Sequence, residues 1–198
     1  MDTISTQTWI ILAGVVVLIV VALAAWFSYK KKKQSRRLQE RFGPEYDRSV
    51  GDLGSRSKAE SELKAREKRV ERLTIVPLAP SDAARFSQTW KDLQGRFVDN
   101  PKGAVAQADQ LVRELMTKRG YPMGDFERRA ADISVDHPTV VEHYRAAQAI
   151  AVRDERGEAD TEELRKAVVH YRALFDELLE VTEAKQGVLP AKETEVQS

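Results

Sequence analysis

An all-α fold with an N-terminal transmembrane helix, a flexible basic linker and a C-terminal antiparallel bundle of about five helices is predicted by three observations. Trp9 to Phe27 is one unbroken apolar run of 19 residues; as a helix it would rise roughly 28 Å, close to the hydrocarbon thickness of a bilayer. Four cations, Lys30, Lys31, Lys32 and Lys33, follow it at once, with Arg36 and Arg37 just beyond. From Ser81 onward apolar residues recur at spacings of three and four, and Pro, Gly, Asn and Asp stand where helices should start and stop.

Residues 1–8 form a short leading segment that carries Asp2 and no Lys or Arg. The transmembrane helix is placed at 9–29, with Trp9 at one headgroup level and Trp26 and Tyr29 at the other. A cleavable signal peptide is the competing reading, since Ala22, Leu23 and Ala24 make a small-x-small triplet. A signal peptide carries its positive charge before the apolar region, however, whereas here the cations follow. Cations beside a span stay cytoplasmic, so the expected topology has a short N-terminus outside and the bulk of the chain inside.

Residues 30–58 read as a basic juxtamembrane linker, because Gly43, Pro44, Gly51 and Gly54 interrupt any long helix. Residues 59–73 turn helical, with Glu60–Lys64 and Glu62–Arg66 pairs and a weak stripe of Ala59, Leu63, Val70 and Leu73 that Arg66 shares. A short stripe with a cation in it predicts a solvated helix rather than a coiled coil. Pro77 and Pro80 make 74–80 an extended connector. Charge is uneven: residues 30–72 hold 15 Lys and Arg against 8 Asp and Glu, and residues 73–198 hold 17 against 22. The chain is basic near the membrane and acidic beyond it.

The bundle domain is placed at 81–184. Ser81 is the expected N-cap of a helix whose stripe is Phe86, Trp90, Leu93 and Phe97. Asn100 and Pro101 open the next, which carries Ala104, Ala108, Leu111 and Leu115 and ends at Gly120. Asp125 caps a short helix with Phe126, Ala130 and Ile133 inward, stopping near Asp136. Pro138 starts a helix with Val141, Tyr144 and Ala151 on one face, ending at Gly157. Asp160 caps the last, whose stripe is Leu164, Val168, Tyr171, Phe175 and Leu178. Residues 185–198 read as a disordered polar tail. Each stripe must bury itself against another, which makes a bundle.

Chemistry-bearing patterns are sparse. With no Cys, disulfides, thiolate metal sites and Cys nucleophiles are excluded. His137, His143 and His170 have no partner at metal-ligand spacing, and neither H-E-x-x-H nor E-x-x-H occurs. Asp136 or His137 is expected to accept a backbone N–H at a helix start, and His143 and His170 to lie on the surface. No Gly-rich phosphate loop is present. The reading therefore assigns no catalytic, cofactor or metal residue, and no cofactor. Positive-inside topology accounts for Lys30, Lys31, Lys32, Lys33, Arg36 and Arg37, and attraction to anionic lipid headgroups of about 1 kcal/mol per cation comes with it. Nucleic acid is not an expected partner, because from residue 60 the cations interleave with Glu and no aromatic stacking platform accompanies them. Asp99, Asn100, Tyr121, Asp136, His137 and Tyr144 fall at predicted helix ends rather than on apolar stripes, and form a candidate interaction surface for a protein partner.

The segments RFGPEYDR, REKRVERL, RFVDNP, RGYP and RAADISVDHPTVVEHYR together resemble a family of uncharacterised bacterial single-span membrane or secreted proteins, over about residues 38 to 180. The resemblance implies a bacterial source and a shared domain, and no activity or catalytic residue. The expectation is thus a single-pass protein of the bacterial inner membrane whose helical domain serves as an interaction or scaffolding module rather than an enzyme. Its alternatives are an enzyme of unrecognised type with a pocket near His137, and an exported helical protein released by signal cleavage.

Overall fold

In a computed structural model, which describes residues 6–186, the chain folds into eight helices and no strand among those residues. α1 is Thr6–Phe42, α2 Pro44–Leu53, α3 Arg56–Val70, α4 Pro80–Arg96, α5 Pro101–Arg119, α6 Phe126–Asp136, α7 Val141–Glu155 and α8 Thr161–Gln186. The all-α class and the helical bundle are as the periodicity predicts. Residues 1–5 and most of the expected tail, 187–198, lie outside the described residues.

Among the described side chains in the apolar part of α1, Val15, Leu18, Ile19, Trp26 and Phe27 are all exposed. That stretch is long and apolar enough to cross a membrane. The same helix then continues without a break and becomes part of the domain, where Leu38 and Phe42 are fully buried.

Residues 30–58 therefore differ from the expected linker. They form the end of α1, all of α2 and the start of α3. Gly43 (φ 48°) and Gly54 (φ 61°) do interrupt the helix, but each takes a positive φ at which the chain turns and a new helix begins. Pro44 sits in the first turn of α2, where its missing N–H costs nothing. α3 is not solvated either: Ala59, Glu60, Leu63, Glu67 and Val70 are buried. Its stripe pairs acids with apolar residues, and the acids find partners on α1 and α2.

Residues 74–79 are non-helical and lie along the end of α5, where the Val76 N–H donates to the Arg119 carbonyl at 3.0 Å, while Pro80 of the expected connector already belongs to α4. Gly120 (φ 93°) admits this approach, since a Cβ there would come within 2.4 Å of the Thr74 carbonyl oxygen. α4 starts at Pro80 with Ala79 in the cap position, so Ser81 is not the cap. Asn100 Oδ1 accepts from the Gly103 N–H at 3.0 Å and Asp125 Oδ1 from the Arg128 N–H at 2.8 Å, both as predicted. At the start of α8 the Asp160 N–H donates to Glu163 Oε2 at 3.1 Å and the Glu163 N–H to Asp160 Oδ1 at 2.7 Å. α7 begins at Val141, three residues after Pro138, which lies in a turn.

Two cores result. The larger is built by α4, α5, α7 and α8 with Ala130 and Ile133 of α6, and Trp90 stacks on Phe175 with ring centroids 4.6 Å apart. α5 and α8 run parallel, since Tyr171 meets Asp109 and Arg119 meets Leu178. α4 opposes both, with Asp82 against Lys118 and Gln94 against Arg172. The smaller core gathers Leu38, Phe42, Tyr46, Leu63 and Val70 around Val135 of α6. Leu73 and Ile75 pack against both.

Candidate functional site

The most heavily charged interior lies where α1–α3 meet α6 and α7. Glu45, one residue into α2 and 1% exposed, accepts at Oε1 from Arg66 Nη1 of α3 at 2.8 Å and from Arg145 Nη2 of α7 at 3.1 Å. Arg145 also reaches Glu127 at 2.6 Å. Burial opposes its charge, but the hydrogen bonds to Glu127 and Glu45 outweigh that and hold the guanidinium above its ordinary pKa. Beside it Arg69 aims two guanidinium nitrogens at Asp132 Oδ1, at 2.7 and 2.6 Å. Arg37 donates to Glu67 Oε2 at 2.6 Å, while Arg41 lies 3.1 Å from Glu67 Oε1 without hydrogen-bond alignment.

Helix spacing explains the convergence. Glu60, Leu63, Glu67 and Val70 follow one another at three, four and three residues along one face of α3, while Arg66 and Arg69 flank it. The segments RFGPEYDR, REKRVERL and RAADISVDHPTVVEHYR supply every member of this junction except Arg37 and Glu127. A buried carboxylate held this way fixes the geometry of two layers, since removing it leaves two largely enclosed guanidiniums with only Glu62 and Glu127 as partners.

A second polar cluster collects three of the six residues expected to form an interaction surface. Tyr121 donates to Asp136 Oδ2 at 3.2 Å, and His137 Nδ1 lies 3.0 Å from Glu177 Oε1. Arg119, almost fully buried, donates to the Leu178 carbonyl. Burial pushes the Tyr121 hydroxyl well above its ordinary range, and the Asp136 carboxylate adds to this. The same burial lowers the Arg119 guanidinium, against the opposing pull of Tyr121, Asp136 and Glu177. His137 is 3% exposed and caps the C-terminus of α6, its N–H donating to the Ile133 carbonyl at 2.8 Å. This corrects the expected cap at a helix start.

The remaining three go elsewhere. Asp99 and Asn100 lie at the α4–α5 corner, and Asn100 is used as a cap. Tyr144 is wholly inside the core, its ring tilted against Phe126 and its hydroxyl accepting from Arg129 Nε at 3.0 Å. Tyr121, His137 and Tyr144 are buried, so the six do not make one exposed surface. His143 and His170, expected as surface residues, face each other across α7 and α8 with their Nδ1 atoms 2.9 Å apart.

Neighbouring α5, α6 and α7 enclose a cleft of ≈ 320 Å³ lined by Lys102, Asp109, Arg113, Arg129 and Asp154. Its charges are spent internally: Lys102 pairs with Asp154 at 3.3 Å and Arg113 with Asp109 at 3.1 Å. Among the described residues no group of three or more His, Asp or Glu is disposed to hold a metal ion. The junction escaped sequence reasoning because its members are charged and far apart in the chain; acids on the stripe of α3 were its signal. Compared with known proteins, the chain matches no family model, no curated sequence and no solved structure.

Proposed function

We propose that this is a single-span protein of a bacterial inner membrane, with its N-terminus outside and its helical domain in the cytoplasm, acting as an interaction or scaffolding module rather than an enzyme. The observation that carries the reading is the continuity of α1, whose exposed apolar part and fully buried Leu38 and Phe42 belong to one unbroken helix. Such a helix both anchors the domain and holds it at a set distance from the bilayer. The basic run from Lys30 supports the cytoplasmic side for the domain. Internal partners of Asn100, Tyr121, His137 and Tyr144 support a structural use of the polar residues.

Reporters fused after Ser198, one active only in the cytoplasm and one only outside, test this. A cytoplasmic signal on a full-length, membrane-bound product is expected. An external signal on a shortened product would replace the reading with an exported protein released by cleavage. A pocket enzyme at His137 has one contact in its favour, the Glu177 carboxylate that would orient the ring as a base. An Nε2 of His137 that reacts with diethyl pyrocarbonate in the native chain would support that second reading, and protection until unfolding would remove it.

A further inference from the structure

The α2–α3 corner is the part of the helical domain that returns toward the apolar segment. α1 and α3 run parallel, for Ser35 meets Glu60 while Arg37 and Arg41 meet Glu67. α2 runs back between them, with Glu45 against Arg66 and Tyr46 against Glu60. Arg56, four residues before Glu60, therefore stands level with Lys31, four before Ser35. Both line one cleft of ≈ 480 Å³, together with Ser28, Lys32, Ser35 and Arg36. On α1 these residues sit at successive three- and four-residue steps, a single stripe. Lys31 is four residues past Phe27, a rise of about 6 Å, which falls within the headgroup layer between hydrocarbon and water.

Most of the charge in this cleft is unspent. Among the described residues Lys31, Lys32 and Arg36 make no ion pair. Arg56 engages through Nε alone, donating to the Tyr46 hydroxyl at 2.8 Å and lying 3.6 Å from Glu60. Its two terminal nitrogens are left for a ligand. The Tyr46 contact also raises the guanidinium pKa, and it fixes the direction of the side chain. Ser55, the cap residue of α3, makes no side-chain hydrogen bond to the first turn, so backbone N–H groups add partial positive charge at the same place. Leu53, 41% exposed, ends α2 beside them.

We propose that this cleft binds the phosphate of an anionic phospholipid in the bilayer that α1 crosses, gripped by Lys31, Lys32, Arg36 and Arg56, with Leu53 set against the edge of the hydrocarbon. The proposal rests on α1 spanning the membrane. Arg56 offers a planar pair of donors to two phosphate oxygens, and the lysines act as point charges. The domain is then held at two points, by its anchor and by its α2–α3 corner.

Because the chain has no Cys, single labels can be placed cleanly. Full-length chain carrying Leu53→Cys or Val17→Cys, labelled with an environment-sensitive fluorophore, is reconstituted in vesicles of phosphatidylcholine with increasing phosphatidylglycerol. The expected result is a label at 53 that is quenched by headgroup-level nitroxide lipids and shifts to the blue as phosphatidylglycerol rises. Lys32→Gln and Arg56→Gln should each move the phosphatidylglycerol midpoint about fivefold upward. Lys32 has no ion-pair partner among the described residues, so its variant reads the site even where Arg56→Gln loosens the corner. A label at 17 in hydrocarbon with a label at 53 in water overturns the headgroup site alone. A label at 17 in water removes the span and the site together. A blue shift reproduced by glycerol phosphate added to pure phosphatidylcholine vesicles would overturn the lipid as the ligand in favour of a soluble phosphate.

Discussion

Replacing Glu45 by glutamine keeps the shape of the side chain and removes the one charge that Arg66 and Arg145 share. Both guanidiniums are largely enclosed, Arg145 with 10% of its side chain exposed, so water cannot take over from the lost carboxylate. Removing one partner of a buried ion pair costs about 3–5 kcal/mol. The amide oxygen retains one weak acceptor and Arg145 retains Glu127, which places Glu45→Gln at the lower end, about 3 kcal/mol. Because Glu45 ties α2 to α3 and α7, the loss falls on the docking of α1–α3 against the bundle. At about 1.36 kcal/mol per tenfold, amides of α3 that exchange through undocking should exchange about 150-fold faster. Hydrogen exchange followed by mass spectrometry on the full chain in phosphatidylcholine vesicles reads this directly, with α5 peptides expected to change far less. Exchange in α3 within threefold of the unaltered protein would refute the reasoning, for it would mean that the layers do not depend on this charge.

Two further outcomes are expected. Gly157→Ala, at φ 72° with open space around the added methyl, should lose only the left-handed penalty of about 1–2 kcal/mol. Gly120→Ala should lose clearly more, because its methyl would meet the Thr74 carbonyl oxygen; equal shifts in urea midpoint would refute that contact. The His170 ring is held below its ordinary pKa by burial and by the neighbouring His143. A base with a depressed folded pKa leaves stability intact above its unfolded value, about pH 6.5, and loses it as pH falls below that, because the unfolded chain then binds more protons. His143→Gln should reduce this acid loss, measured as melting temperature against pH; parallel curves for variant and parent would refute it.

Helices with local punctuation were legible from sequence alone. α5 follows Asn100, Pro101 and Gly120 to the residue, since a cap, a fixed φ and a left-handed stop each act within one turn. The α1–α3 unit was not legible for the opposite reason. Counting apolar residues along Lys58 to Leu73 finds a thin stripe, because Glu60 and Glu67 occupy positions that a core would give to leucine. Their partners, Ser35, Tyr46, Arg37 and Arg41, lie 14 to 30 residues away, and pairing at that range leaves no periodic signal. Gly43 and Gly54 were correctly read as interruptions, yet an interruption between helices looks the same in sequence as one within a flexible tether. The six polar residues at helix ends were a mixed set: Asn100 and His137 cap helices, whereas Tyr144 simply points its ring into the core and keeps its hydroxyl on Arg129.

The unbroken passage of α1 from exposed apolar surface into the small core sets how far a domain of this kind can search. A flexible tether of the length of residues 30–58 would let its cargo sweep a radius of about 30 Å around the point of emergence. Here that freedom is gone, and with α1 in a bilayer the domain moves sideways only as fast as the helix diffuses, always offering the same aspect to whatever it meets. The bearing of that aspect is set by residue count between Phe27 and Leu38. Each residue inserted or deleted there would swing the whole domain by about 100° about the helix axis and raise or lower it by about 1.5 Å, so the length of a stretch that looks like filler in the sequence acts as the compass of the molecule.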